Sequence, residues 1–121
     1  MEKQEVQEVI IPEASATLKY ARISARKVKI VADLIRGKNV NEALVILNNM
    51  NKKPARMTKK VLESAIANAV NNNGAKQEEL YIREARVDAG PVMKRHMFDS
   101  RSHIGHKDKR TSHIVIVVAT R

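Results

Sequence analysis

Apolar residues follow two rhythms along this chain. Through the middle they recur every three to four positions, and near both ends they alternate or run together in β-branched stretches. The stretch "ATLKYARI" (Ala16–Ile23) predicts a short strand with Leu18 and Tyr20 on one face. "ARKVKIVADLIRG" then predicts a helix. Val28, Val31, Leu34 and Ile35 form its apolar stripe, and Arg26, Lys29, Asp33 and Arg36 the opposite side. Ser24 suits its N-cap and Gly37 its end. Asn39-x-x-Glu42 has capping-box spacing for a second helix, with Val40, Ala43, Leu44 and Leu47 facing inward. Pro54 fits the first turn of a third, where Val61, Leu62, Ala65, Ile66, Ala69 and Val70 repeat until Asn71-Asn72-Asn73-Gly74 stops it. "LYIREARVDA" reads as a strand whose apolar parity shifts between Ile82 and Ala85, which predicts a bulge. "SHIVIVVATR" reads as a strand that is apolar on both faces.

The last two strands are separated by a long polar excursion. "GPVMKRHMFDSRSHIGHKDKRTSHI" (Gly90–Ile114) holds all four histidines and six Lys/Arg residues, whereas hairpin loops usually hold two to five residues. Symmetric pairing about Ser102 sets Lys94 against Arg110 and Arg95 against Lys109. Like charges directly opposed across strands are unfavourable, so the pattern makes sense with phosphates alongside. Neighbouring residues point to opposite faces of a strand, so Lys94 and Arg95, and likewise Lys109 and Arg110, meet negative charge on both faces. About twelve residues from Gly90 to the turn give an arm of roughly 40 Å.

The chain has 121 residues, 43% of them hydrophobic, and a net charge of +10. That length predicts one domain with a real core. With Tyr20, Tyr81 and Phe98 the only aromatics, the core is aliphatic. Met1–Ser15 carries Glu2, Glu5, Glu8 and Glu13 against Lys3, a balance of −3 that leaves +13 on the rest of a chain whose total is +10. So basic a body calls for a polyanion, and nucleic acid is the leading partner. No basic amphipathic helix with aromatic anchors points to a membrane surface, and no apolar run approaches the roughly 18 residues of a membrane span. Residues 1–15 read as an acidic, flexible extension and 16–121 as a single RNA-binding domain, soluble and intracellular, with 90–114 as its arm. Lys52, Lys53, Arg56, Lys59 and Lys60 crowd the start of the third helix, where the helix dipole disfavours cations unless an anion lies nearby.

"GP-x-M-K-R" followed by "K-R-T-S-H-I" and a valine-rich strand resembles the universal ribosomal large-subunit protein twenty-two family, bacterial type. "YARISARKVKIVADLIRGKNVNEALVIL" and "KVLESAIANAVNNNG" resemble that family's helical body, so the likeness covers Ala16–Arg121. It implies an α+β fold: three helices packed on a small three-stranded antiparallel sheet, with a long protruding β-hairpin. It also implies a structural role in the large ribosomal subunit. Family members bind large-subunit ribosomal RNA, aid early assembly and line the polypeptide exit tunnel with the hairpin, where it affects macrolide sensitivity. The implied partners are that RNA, neighbouring ribosomal proteins and the nascent polypeptide, in cytoplasmic ribosomes, with no cofactor and no membrane. The implied RNA-binding residues are Arg22, Ser24, Arg26 and Lys27 near the first helix, and Lys94, Arg95, Arg101, Lys107, Lys109, Arg110, Thr111, Ser112 and His113 along the hairpin. Met97, Phe98, Arg101, Ser102 and His103 form the tunnel-facing tip. Where the family tip commonly reads Pro-Arg-Ala-x-Gly-Arg-Ala, this chain has Phe98-Asp99-Ser100-Arg101-Ser102-His103-Ile104.

Other chemistries fit less well. His96, Asp99, His103 and His106 have metal-ligand character, but the chain has no cysteine and these residues lie on a loop, so no metal is expected. Asp99, Ser100 and His103 lack the strand-turn-helix that fixes a triad, so no enzyme activity is expected. Aromatic-platform RNA binders are disfavoured, because three aromatics cannot supply their stacking surface. The alternative to a ribosomal protein is a free-standing RNA-binding or RNA-chaperone module.

Overall fold

A computed structural model describes residues 13–98 and 104–120, with the backbone alone for 95–98 and 104–108. The elements are β1 (Glu13–Ala21), α1 (Ala25–Ile35), α2 (Val40–Asn49), α3 (Lys53–Asn73), a 3-10 turn (Gln77–Glu79), β2 (Leu80–Ala89), β3 (Met93–Phe98), β4 (Ile104–Lys109) and β5 (Ser112–Thr120). Antiparallel strands in the order β1-β5-β2 form the main sheet, and β3 and β4 form a separate two-stranded one. The fold is α+β, three helices on a three-stranded antiparallel sheet.

Alternation in the strands and helical spacing between them bury one aliphatic layer. Ile114, Ile116 and Val118 of β5 face inward with Leu80, Ile82, Ala85 and Val87 of β2. The longest helix, α3, lies against β1 and β5 through Ala65, Ala69 and their neighbours, α1 lies against β2, and α2 flanks α3. The buried stripe of α1 is Val28, Val31, Ala32 and Ile35. Leu34, expected in that stripe, is rotated off its centre and exposed, and Val70 stands at the rim of α3.

Contacts from the helices and their connections occupy part of both sheet edges, which blunts them as open pairing sites. On β1, Asn68 and Asn73 of α3 donate side-chain hydrogen bonds to the Ser15 and Glu13 carbonyls at 2.9 and 3.1 Å. On β2, Gly37 N–H donates to Ile82 O at 3.0 Å, Ile82 N–H donates to Lys38 O at 2.9 Å, and Arg36 donates to Ala85 O at 2.6 Å. Gly37 turns the chain there with φ +80, a conformation glycine adopts freely. The expected bulge in β2 is present: pairing with β5 slips between Ile82 and Glu84.

Two strand expectations need correction. β1 begins at Glu13 rather than near Ala16. Glu13, Ala14 and Ser15 pair with Ala119, Val118 and Val117, because Ala14 continues the inward alternation of Ala16 and Leu18 and Glu13 ion-pairs with Arg83. Residues 1–12 of the acidic extension lie outside the described residues. Tyr20 does not share a face with Leu18. It sits in a second bulge, between Leu18 and Ala21, at φ +57.

The neck of the arm has three residues on one side (Gly90–Val92) and two on the other (Arg110 and Thr111). Gly90 N–H donates to Thr111 O at 2.9 Å, and Thr111 Oγ1 donates to Pro91 O at 2.7 Å. A Cβ on Gly90 would lie 2.5 Å from Thr111 Oγ1, so only glycine fits this crossing. The extra residue sets the arm's register. Met93 faces Lys109, Lys94 faces Asp108 and Arg95 faces Lys107. The expected pairs, Lys94 with Arg110 and Arg95 with Lys109, do not form, because the register is inherited from the β2–β5 ladder through the uneven neck.

Ser112 is fully buried at the base of β5, and its hydroxyl has no hydrogen-bond partner among the described residues. An unpaired buried hydroxyl costs about 1–3 kcal/mol. Ser112→Ala is therefore expected to raise stability by roughly 1 kcal/mol, seen by calorimetry as a Tm higher by a few degrees. A lower Tm would show that the hydroxyl is satisfied.

Candidate nucleic-acid interface

The neck, the β1–α1 connection and the start of α3 meet around an open cleft of about 420 Å³, lined by Arg22, Ile23, Ser24, Lys53, Met93, Lys109 and Arg110. Arg22 is placed by a tight turn in which Ile23 N–H donates to Ala21 O at 2.8 Å. Lys53 Nζ donates to Arg22 O at 3.3 Å and ties the start of α3 to that turn. Ser24 caps α1 with its backbone in the extended region, and its side chain makes no capping bond. Ser24, the N-cap of α1, lines the cleft, and helix N-termini favour anions. Among the described residues, four cations and no carboxylate line the cleft.

Four of the residues implied by resemblance, Arg22, Ser24, Lys109 and Arg110, are thus brought together from distant parts of the sequence. Arg26 shares a smaller opening of about 120 Å³ with Ser24, Arg110 and Thr111. Lys109 and Arg110 were expected on opposite faces, yet both line the main cleft. Arg110 lies beyond the end of β4, where strand alternation no longer applies. Lys27 points elsewhere, into a groove with Ile30, Val31, Met50, Lys52 and Pro54. Thr111 and Ser112 are buried and build the neck, so Ser112 offers no surface to RNA. His113 is half-buried and accepts a hydrogen bond from Tyr20 N–H at Nδ1, 3.0 Å. Lys94 is exposed. For Arg95, Met97, Phe98 and Lys107 only the backbone is described, and Arg101, Ser102 and His103 lie outside the described residues, as does the Asp99-Ser100-His103 set.

Lys53 is the cleft residue that sequence reasoning did not assign. Its signal was the run of cations at the start of α3, and only the tertiary fold carries that run to the neck. Three arginines elsewhere are matched by carboxylates. Arg83 pairs with Glu13 across the sheet, Arg86 bridges Glu84 at 3.2 Å and Asp88 at 3.3 Å, and Arg36 pairs with Asp33 at 2.7 Å. Among the described residues, no group of three or more His, Asp or Glu side chains is placed to hold a metal, and no helix is long and apolar enough to cross a membrane.

A family model described as ribosomal protein L22p/L17e matches residues 16–119. The chain is also similar to the large ribosomal subunit protein uL22 of Halothermothrix orenii. The two are 50% identical over 109 residues, which cover 90% of this chain and 96% of that protein.

The N-terminus of α3 makes the electrostatic trade-off measurable. Lys52 occupies its N-cap with φ −134 and ψ 151, its side chain makes no capping bond, and the first turn has no acidic residue. Lys52→Asp supplies a capping carboxylate in a suitable backbone conformation, so the free protein is expected to gain about 1 kcal/mol. Affinity for heparin, a simple polyanion, should fall at the same time. Thermal melts and a salt-gradient heparin column read the two effects separately, and a variant that loses stability would refute the capping argument.

Proposed function

The chain belongs to the ribosomal protein L22p/L17e family, and on that premise we propose how it serves as a structural protein of the large subunit in cytoplasmic ribosomes. The body holds large-subunit ribosomal RNA by its phosphates, at the cleft where Arg22, Lys53, Lys109 and Arg110 converge. That convergence is the observation that carries the reading: four cations from separate parts of the chain face one opening, with no carboxylate among its described lining residues. Self-repulsion there is relieved when a polyanion fills it. Neutralising several phosphates at once suits a protein that joins its RNA early in assembly and sits among neighbouring ribosomal proteins. The family is not known for enzymes, and the role needs no catalysis.

The arm acts separately from the body. It projects from residues 90–114 of the single domain 16–121, runs along the polypeptide exit tunnel, and presents Met97, Phe98, Arg101, Ser102 and His103 to the nascent chain. The described core fits this division of labour, because β1, the three helices, β2 and β5 fill it.

Two measurements test the reading. Each phosphate contact contributes about −0.7 to −0.9 to the log–log salt slope of binding. Changing Arg22, Lys109 and Arg110 together to Ala is expected to flatten the slope for a large-subunit RNA transcript by roughly 2 to 3. An unchanged slope would place the phosphates elsewhere. Replacing residues 96–106 by an Asn-Gly turn keeps Arg95 opposite Lys107. The shortened protein is expected to melt within about 1 kcal/mol of the parent and to sediment with large subunits at high salt, with an altered macrolide response. A folded protein that fails to enter subunits would make the tip an assembly anchor instead.

A further inference from the structure

Tyr20 breaks two local rules. Its backbone sits at φ +57, where residues other than glycine, asparagine and aspartate are uncommon. The residue is 61% exposed and absent from the core. Neither feature helps the fold, and strained residues of this kind concentrate at functional sites. The strain is held in place by β5. Tyr20 N–H donates to His113 Nδ1 at 3.0 Å, and the two rings meet in a T-shaped contact with centroids 4.9 Å apart and planes at 85°. Such a contact occupies at most one face of the tyrosine ring and leaves the other open.

The open ring belongs to a second cleft, of about 360 Å³, lined by Tyr20, Arg22, Pro91, Met93 and Thr111. Arg22 and Met93 also line the cationic cleft next to it. A cation site for phosphate and a rigid aromatic face beside an apolar wall therefore adjoin across one arginine.

We propose that Tyr20 is a stacking platform for one unpaired nucleobase of the bound RNA, whose phosphate lies in the adjoining cleft at Arg22. This deepens the RNA-binding reading and rests on it. It also qualifies the expectation that aromatic stacking is unimportant here: three aromatics cannot tile a sheet, but one immobilised ring suffices for one base. His113 is a positioning residue, since it fixes the backbone and tilt of Tyr20 and leaves the open face to the base.

The test uses the full-length chain with two probes: a large-subunit ribosomal RNA transcript, and heparin, a polyanion without bases. Tyr20→Gly removes the ring and suits the left-handed backbone, and Tyr20→Ala removes the ring alone. Both are expected to weaken RNA binding between about fivefold and a hundredfold, the range for loss of one base stack, with heparin affinity and the RNA salt slope unchanged. Tyr20→Phe should bind as the parent does. Tyr20→Trp introduces the only tryptophan of the chain, and its emission should be quenched by the RNA but not by heparin. The proposal is overturned if Tyr20→Gly and Tyr20→Ala bind the RNA like the parent. It is also overturned if they lose heparin affinity in parallel, or if the tryptophan emission is unaffected by RNA. An unmodified chain that does not bind the transcript would sink the RNA-binding reading itself, and this proposal with it.

Discussion

The two ladders that β5 makes, with β1 on one side and β2 on the other, set the position of every other element. Its inward residues Ile114, Ile116 and Val118 form the floor on which α1 and α3 rest. Its first residues, Ser112 and His113, fix the base of the arm and the tilt of Tyr20. Because both of its edges are paired, β5 cannot slip by one residue without turning its apolar set toward solvent. That rigidity lets a body of modest size aim a cationic cleft and a long arm in a defined direction.

Charge is distributed by the same logic. On the outer face of the sheet, arginines are matched to carboxylates, as in Arg83 with Glu13 and Arg86 with Glu84 and Asp88. Exposed pairs like these contribute little to stability, but they leave that face close to neutral. At the neck four cations are gathered with no carboxylate among the described lining residues. Part of the body's positive charge is thereby gathered at the junction of body and arm, where a bound polyanion would relieve the repulsion.

The helices and the bulge in β2 were legible in the sequence because both are local. Helical spacing marked the buried faces of α1 to α3, and the parity shift around Arg83 marked the extra residue. Leu34 was misread because a stripe judged by hydrophobicity takes in a leucine at its margin, whereas the packed face is centred on Val28, Ala32 and Ile35. The arm's register was hidden for a different reason: charge symmetry about Ser102 carries no information about the uneven neck that sets it. The cleft was half legible. Arg22, Ser24, Lys109 and Arg110 carried a family signature, while Lys53 joins them only through the docking of α3. Tyr20 looked like an ordinary strand residue, and nothing in the one-dimensional pattern marks a left-handed backbone at an aromatic.

The uneven neck also governs how the arm can change over evolutionary time. Since its register is handed down from β5, the tip can be rewritten without disturbing the pairing below it. Length is less free. Adding one residue to each strand would carry every side chain beyond that point to the opposite face. Insertions that preserve both pairing and facing come in steps of two residues per strand, or about 7 Å of reach. Such an arm diversifies readily in chemistry and only in discrete increments in length, like a ruler whose markings can be repainted but not respaced.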